Sequence, residues 1–500
     1  MAISFPSLPA NWKMPLFWAQ MDGSQAGGVS LSNPALLIGQ KLAAGSEPIN
    51  TVIAIGSAAQ AGAAFGMGSM LERMIVRFLA RTPTAMLYAV AVADPSAGVA
   101  ATGTITIAGT STASGIYSLY VAGYLVPVQV LAAATSTQIA ASVVAAINAL
   151  GVLPVSAASA LGVVTLTAKW TGATGNDIVL TDSYRGTYGG EAMPAGITVV
   201  YGAMTGGAGV PDLTGAVTAL GDTIYDYVGL PYTDSASMSL MDTEYGFGDT
   251  GRWGFVRELY GCVWTARRDT YSNLIAWGPT GNSAVESTMA VETGSPSPIW
   301  EWTAVYCACA AAGYNEDPAR PLQTLELTGI LPAPQGQRFT ITMSSALANV
   351  GIATQSVAPS GAPQILRETL RYQVNQYGQS DTAYELATTL YTLATIFRTL
   401  KSSITSKYAR YKVADDGTLF APGQAIVTPN TVRAELVSEY AGLEFNGLVE
   451  DAATFKANLI VSRNTRNPSR LDVLYPPNLV SGLRVFAVLG QFRLQYQPPV

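Results

Sequence analysis

A chain of 500 residues is too long for a single hydrophobic core, and roughly two to four domains are expected. Hydrophobic residues make up 49% and charged ones only 12%, about half the usual share; such a surface is either wetted by uncharged Ser, Thr, Asn and Gln or covered by further copies of the chain. The net charge of −6, with no Lys/Arg-rich run, argues against a nucleic-acid partner and a membrane-surface helix, and the absence of histidine removes Ser-His-Asp triads, Cys-His dyads and His-ligated zinc.

Residues 1–30 read as an extended arm. Pro6, Pro9 and Pro15 oppose a helix, yet the segment carries Ile3, Phe5, Leu8, Trp12, Met14, Leu16, Phe17 and Trp18. That apolar load must lie on its own fold or on a neighbour's. The first residues lack the basic and continuous apolar regions of a signal peptide. From 31 to 94 the pattern alternates. Ala35–Gly39 and Thr51–Gly56 read as short buried strands ending at glycine, and 68–81 as a helix with Met70, Leu71, Met74, Ile75, Phe78 and Leu79 on one face. Ala85–Ala93 is a further apolar strand. Such strands separated by helices predict an α/β core, a mixed sheet with helices on both faces.

Between 95 and 205 the composition turns to Gly, Ser, Thr and Ala, and residues 95–168 carry no charge at all. Short strands are expected at Ile105 and Ile107, at Tyr117, Leu119 and Val121, and at Val126, Val128 and Val130. Others fall at 163–167, 177–180 and 197–201. A helix opening near Thr135 buries Ile139, Val143, Ile147 and Leu150. The stretch reads as a small α+β, β-rich domain inserted into the first, with Gly202–Gly209 as its return linker. It is not a membrane span, because its longest apolar run is broken by Asn148 and Gly151 and ends at Pro154.

The core resumes over 206–315. Ile224–Pro231, Tyr260–Trp264 and Asn273–Trp277 read as strands, and Trp300–Gly313 as a helix of small residues. A C-terminal domain over 316–484 holds the longest helices. Leu386, Leu390, Leu393, Phe397, Leu400 and Ile404 follow heptad spacing too briefly for a coiled coil, which leaves an amphipathic helix docked on a core. A second helix starts after Pro429-Asn-Thr431, carries Val432, Leu436 and Val437, and fades near Gly442. Residues 485–500 form a second arm, where Phe492, Leu494 and Tyr496 alternate with polar residues as on a sheet-edge strand. Both ends can add to a sheet of another subunit or of their own. The candidate inter-subunit residues are therefore Ile3, Phe5, Leu8, Trp12, Met14, Leu16, Trp18, Phe492, Leu494 and Tyr496.

Other motifs carry little chemistry. Gly62-Ala-Ala-Phe-Gly-Met-Gly68 lacks the Lys and spacing of a phosphate loop. Cys262, Cys307 and Cys309 are too few and odd in number for a disulfide framework, Cys307-x-Cys309 has no second ligand pair, and buried thiols fit a reducing cytoplasm. Asp415-Asp-Gly417 is turn chemistry and Asn315–Pro321 a proline-punctuated corner. Arg267, Arg268, Arg463, Arg466 and Arg470 face either solvent or a neighbour's acidic patches. No catalytic residue, cofactor or metal is expected, and the chain does not read as an enzyme.

The second half resembles the Mu-like family of contractile phage tail sheath proteins. The resemblance lies in Asp317-Pro-Ala-Arg-Pro-Leu-Gln-Thr324, Leu327-Thr-Gly-Ile330, Gly351-Ile-Ala-Thr354, Arg367 with Thr369, and Asn375-Gln-Tyr-Gly-Gln-Ser-Asp381. It continues through Lys407-Tyr-Ala-Arg410, Ala414-Asp-Asp-Gly-Thr418, Pro422-Gly-Gln424, Val427-Thr-Pro429, Gly447-Leu-Val-Glu450, Phe455-Lys456 and Arg470-Leu-Asp-Val473. The first half agrees more loosely, through Ala35–Gln40 and Phe65–Leu71. One departure is Thr369-Leu-Arg-Tyr372, where a threonine pair would precede the tyrosine. The resemblance implies a structural protomer that stacks as hexameric rings around a tail tube, laced by its terminal arms. Contraction would drive the tube through the host envelope. The implied partners are other copies of itself and the tail tube, baseplate and tail terminator proteins, in a virion assembled in the host bacterial cytoplasm, with the inserted domain on the outside. Two rival readings are a capsid-like or surface-layer protein and a secreted glycan-active enzyme. The latter needs an export signal and a paired-carboxylate cleft, and neither is found.

Overall fold

The computed structural model describes residues 33–494. Ala35–Gln40 (β1) is buried at every position, and after Val52–Ile55 (β2) come two helices, Ala58–Phe65 (α1) and Met70–Arg81 (α2), then Leu87–Val92 (β3). Ser57 and Ser69 cap the helices, their hydroxyls accepting from the Gln60 and Glu72 amides. The Gly62–Gly68 cluster ends α1 and turns into α2. Gly66 and Gly68 have φ of 85° and 80°, and a Cβ on Gly68 would lie 2.5 Å from the Gly151 carbonyl oxygen.

Residues 102–205 form Thr102–Gly109 (β4), Gly115–Val121 (β5), Tyr124–Val130 (β6), Ser136–Ala149 (α3), Val155–Ala160 (β7), Val163–Ala168 (β8), Leu180–Asp182 (β9) and Ile197–Thr205 (β10). They make two antiparallel sheets, ordered β10-β4-β8-β7 and β6-β5-β9. A capping box of Thr135 and Gln138 opens α3, which buries Ile139, Val143 and Ile147; Leu150, expected inside, is the exposed C-cap.

Thr214–Leu220 (α4), Tyr227–Gly229 (β11), Ser235–Tyr245 (α5), Cys262–Arg268 (β12), Tyr271–Trp277 (α6), Glu286–Val291 (β13) and Ile299–Glu316 (α7) complete the core. The main sheet runs β13-β12-β11-β1-β3-β2, parallel except that β2 is antiparallel to β3. The connections β1-α2-β3 and β11-α5-β12 run in opposite directions along the sheet, so right-handed crossovers put α2 and α5 on opposite faces. Helix α7 lies beside α2 and is apolar almost all round, as a fully buried helix must be.

Two expectations are corrected here. Asn273–Trp277 is not a strand but most of α6, because the Thr270 hydroxyl accepts from the Asn273 amide and starts a helix there. The strand expected at 51–56 is only half buried, because β2 is the last in its sheet.

The two sheets of 102–205 share one apolar cluster with the main sheet. Trp170 and Trp300, both buried, meet edge to face at 5.2 Å. The Arg73 guanidinium lies 3.8 Å above the Tyr124 ring. Asp177 accepts from the first amide of α7, Ile299, at 2.5 Å and pairs with Arg268 at 2.9 Å.

The remaining elements are Ile341–Asn349 (α8), Thr354–Val357 (β14), Pro363–Arg367 (β15), Ala387–Tyr408 (α9), Lys412–Val413 (β16), Ile426–Val427 (β17), Pro429–Phe445 (α10), Ala452–Asn458 (α11), Ile460–Arg463 (β18) and Leu471–Leu474 (β19). Helix α9 joins two cores. Ala387, Leu390, Tyr391 and Ala394 belong to the large one, where the Tyr391 ring stacks on Tyr227 at 5.0 Å and Tyr314 at 4.4 Å. Ile396, with Leu400 and Ile404, belongs to a smaller core built on Val432, Leu436, Tyr440, Leu443 and Phe455. The heptad-spaced residues are therefore split, and Phe397 is exposed beside Tyr260. Helix α10 continues through Gly442 to Phe445.

Buried carboxylates hold these pieces together. Glu301 of α7 receives Arg73 at 2.9 Å and Arg77 at 2.6 Å. Asp226, ahead of β11, is gripped by both terminal nitrogens of Arg398 on α9, at 2.6 and 2.9 Å, while burial pushes its pKa up. Glu286 opens β13 and faces Arg371 at 3.3 Å, with its second oxygen unpaired. Burial raises that carboxyl to about 8.

Trp170→Ala is expected to cost about 3–5 kcal/mol and to lower a single cooperative melting transition rather than split it; calorimetry resolving a separate early transition contradicts the shared core. For Glu286 the folded pKa lies above the unfolded value near 4.5, so the stability linked to its proton is present below that and lost as pH rises to about 8. The melting temperature of Glu286→Gln is therefore expected to gain on wild type steadily from pH 5 to pH 8.

Candidate assembly surfaces

Chemistry has little to work with among the described residues. No cluster of three or more Cys, Asp and Glu side chains can hold a metal, and no helix is long and apolar enough to cross a membrane. All three cysteines are buried and unpaired; burial pushes their thiols up, Cys309 to about 11, which leaves them unreactive. Arg267 pairs with Asp269 and Arg268 with Asp177, inside the subunit, while Arg463 pairs with Asp415 at 3.0 Å and Arg470 with Asp472 at 2.5 Å.

The surfaces that stand out are apolar and main-chain. After β19 the chain crosses the small core, where Glu450 N–H donates to the Asn478 carbonyl at 2.9 Å and Val480 N–H to that of Leu448 at 3.2 Å. It is then pinned to the large core. Arg484 makes two bonds to Glu368, at 2.9 and 2.5 Å, and Glu368 is fully buried. Gly482 presses on Pro321, where a Cβ would come within 2.5 Å of the proline ring.

Beyond this pin the hold ends. Val485, Phe486, Val488, Leu489, Phe492 and Leu494 are all exposed, the last two by 85% and 96%, and 485–493 has no regular structure. The strand expected around Phe492 and Leu494 is thus not formed within the subunit, because no sheet edge of the described chain lies against it. Alternation signals a strand only when a partner supplies the ladder. Tyr496 and the candidates Ile3, Phe5, Leu8, Trp12, Met14, Leu16 and Trp18 lie outside the described residues.

The hairpin β18–β19 is the second surface, and sequence reasoning missed it as a strand pair. Its four-residue strands have mixed polarity, and the turn between them is rich in Arg and Asn. It is a two-stranded sheet with a free edge on each side. The Asn464 amide bonds to the Arg470 carbonyl, so the alternating antiparallel pattern turns the main-chain groups of Val461, Arg463, Leu471 and Val473 outward. Among the described residues no hydrogen bond reaches those groups. Ile460, Val473 and Leu474 add exposed apolar side chains. Helix α10 packs beside β18 and braces the hairpin.

Comparison with known proteins agrees with this picture of a chain built to associate. Residues 206–369 match the phage tail sheath protein central domain and 379–493 the phage tail sheath C-terminal domain. The chain is 34% identical over 496 residues to the Mu-like prophage FluMu tail sheath protein of Haemophilus influenzae, covering 99% of this chain and 100% of that protein. A sheath tail protein of Desulfitobacterium hafniense aligns with a TM-score of 0.48 at 12% identity, covering 94% of this chain and 97% of its own. One from Listeria innocua gives 0.46 at 12%, covering 90% and 92%. With both matched regions and a full-length relative in agreement, the chain belongs to the phage tail sheath family, as a structural protein of the Mu-like type.

Proposed function

We propose that this sheath protein polymerises by strand addition. The exposed apolar segment after Arg484 and the N-terminal arm of neighbouring copies pair with the open edges of β18–β19. The observation that carries the reading is the pairing of opposites in one subunit: a hairpin with unused main-chain groups and a segment with strand alternation but no strand. Copies stack as hexameric rings around a tail tube, with the baseplate and tail terminator proteins at the two ends. The particle is a virion component assembled in the host cytoplasm. Residues 95–205 form the inserted domain and face outward, where their uncharged Ser/Thr surface meets solvent. Because the arms join the body through single-chain links, the bodies can rotate while the ladders persist. Contraction then exchanges one set of body contacts for a better one and drives the tube through the envelope without fuel.

Deletion of residues 1–20 or of 485–500 is expected to leave a folded, soluble protein that builds no tubes in negative-stain microscopy; tubes from either truncated chain refute strand addition, and sheets or shells from the intact chain favour a capsid-like or surface-layer assembly. Arg484→Ala strands Glu368 without its partner and is expected to cost about 3–5 kcal/mol. Arg484→Met with Glu368→Leu is expected to recover much of that loss in a denaturant titration.

A further inference from the structure

A chain that assembles by strand addition must keep its other sheet edges from accepting strands. The usual guard is a charged side chain, and residues 95–168 have none. The structure supplies other guards. In β7 the pairing with β8, set by the turn at Leu161 and Gly162, points the N–H and C=O of Ala157 away from the sheet. Asn148, exposed on α3, meets both: its Nδ2 donates to the Ala157 carbonyl at 2.8 Å and its Oδ1 accepts from the Ala157 amide at 2.9 Å. The side-chain amide makes the same pair of bonds that an incoming strand would make.

Other edges are shut in related ways. On β2, Gln60 of α1 donates to the Ala54 carbonyl at 2.9 Å and accepts from the Gly56 amide at 2.8 Å. In β6, Pro127 sits opposite Ser118, at a position whose N–H would point to the free side, and proline has no N–H to offer. The hairpin β18–β19 has no such guard among the described residues.

We propose that Asn148 is a gatekeeper, a side-chain surrogate strand that bars β7 from pairing with another copy and so reserves strand addition for β18–β19. The destination of the arms rests on the reading given under Proposed function; the blocking of β7 does not. The test compares full-length Asn148→Leu and Asn148→Lys with wild type. Leu removes both hydrogen bonds and leaves an apolar edge, whereas Lys removes the same bonds but restores a charge. The Leu variant is expected to fold with wild-type circular dichroism, to exchange the Ala157 amide about fivefold faster, and to form irregular aggregates beside or instead of tubes. The Lys variant is expected to show the same faster exchange without aggregates. Clean wild-type assembly by the Leu variant overturns the proposal, as does equal aggregation of both, which marks the two bonds as merely structural. If Leu prevents folding, Asn148→Ala takes its place in the comparison. In a chain also lacking residues 485–500, Asn148→Leu still aggregates if β7 pairs with β7. Tubes from the truncated chain alone refute the arms while leaving the Leu–Lys contrast to judge the gatekeeper.

Discussion

A carboxylate sealed inside a packed core is tolerable only if a guanidinium is brought to it, and in this protein each such meeting joins segments far apart in sequence. Glu301 with Arg73 ties α7 to α2, Asp226 with Arg398 ties the main sheet to α9, and Glu368 with Arg484 ties the body to the root of the C-terminal segment. A buried pair adds little over a well-packed apolar contact, but removing one partner is severe. These couples therefore act as conditions on geometry more than as sources of stability. They also bear on the scarcity of charge. Much of a small set of charged side chains is turned inward, and the surface is left to hydroxyls, amides and small apolar groups.

That surface creates a difficulty which the edges of the sheets resolve. Uncharged β-structure is an invitation to pair, and β2, β6 and β7 each decline it through an amide or a proline. The hairpin β18–β19 stays open, braced by α10 and by the core in which Tyr440 stacks on Phe455. Assembly and solubility thus depend on the same main-chain chemistry, offered in one place and withheld in others. A rigid body, pinned at Arg484 and free beyond it, keeps the root of the arm fixed while leaving its tip to a partner.

Much of the fold was legible wherever one signal dominated. The apolar runs of β1 and β3, the amphipathic face from Met70 to Phe78 and the helix after Thr135 all lie where periodicity and capping put them. Asn273–Trp277 misled because a short apolar run has no clear period, and the deciding information was the cap at Thr270. The spacing along α9 is real, but spacing does not say that one helix serves two cores. The assembly surfaces were half legible. Alternation at Phe492 and Leu494 marks a strand-former and not its partner, while the hairpin lacks the β-branched density that announces strands. Asn148 looked like an interruption of an apolar run; its role depends on Ala157, nine residues away and placed by the turn between β7 and β8.

Hydrogen exchange read residue by residue on free subunits and on assembled tubes tests strand addition most directly. Strand addition predicts that the amides of Val461, Arg463, Leu471 and Val473 exchange freely in the subunit and become protected in the tube; amides there that stay unprotected in intact tubes contradict it.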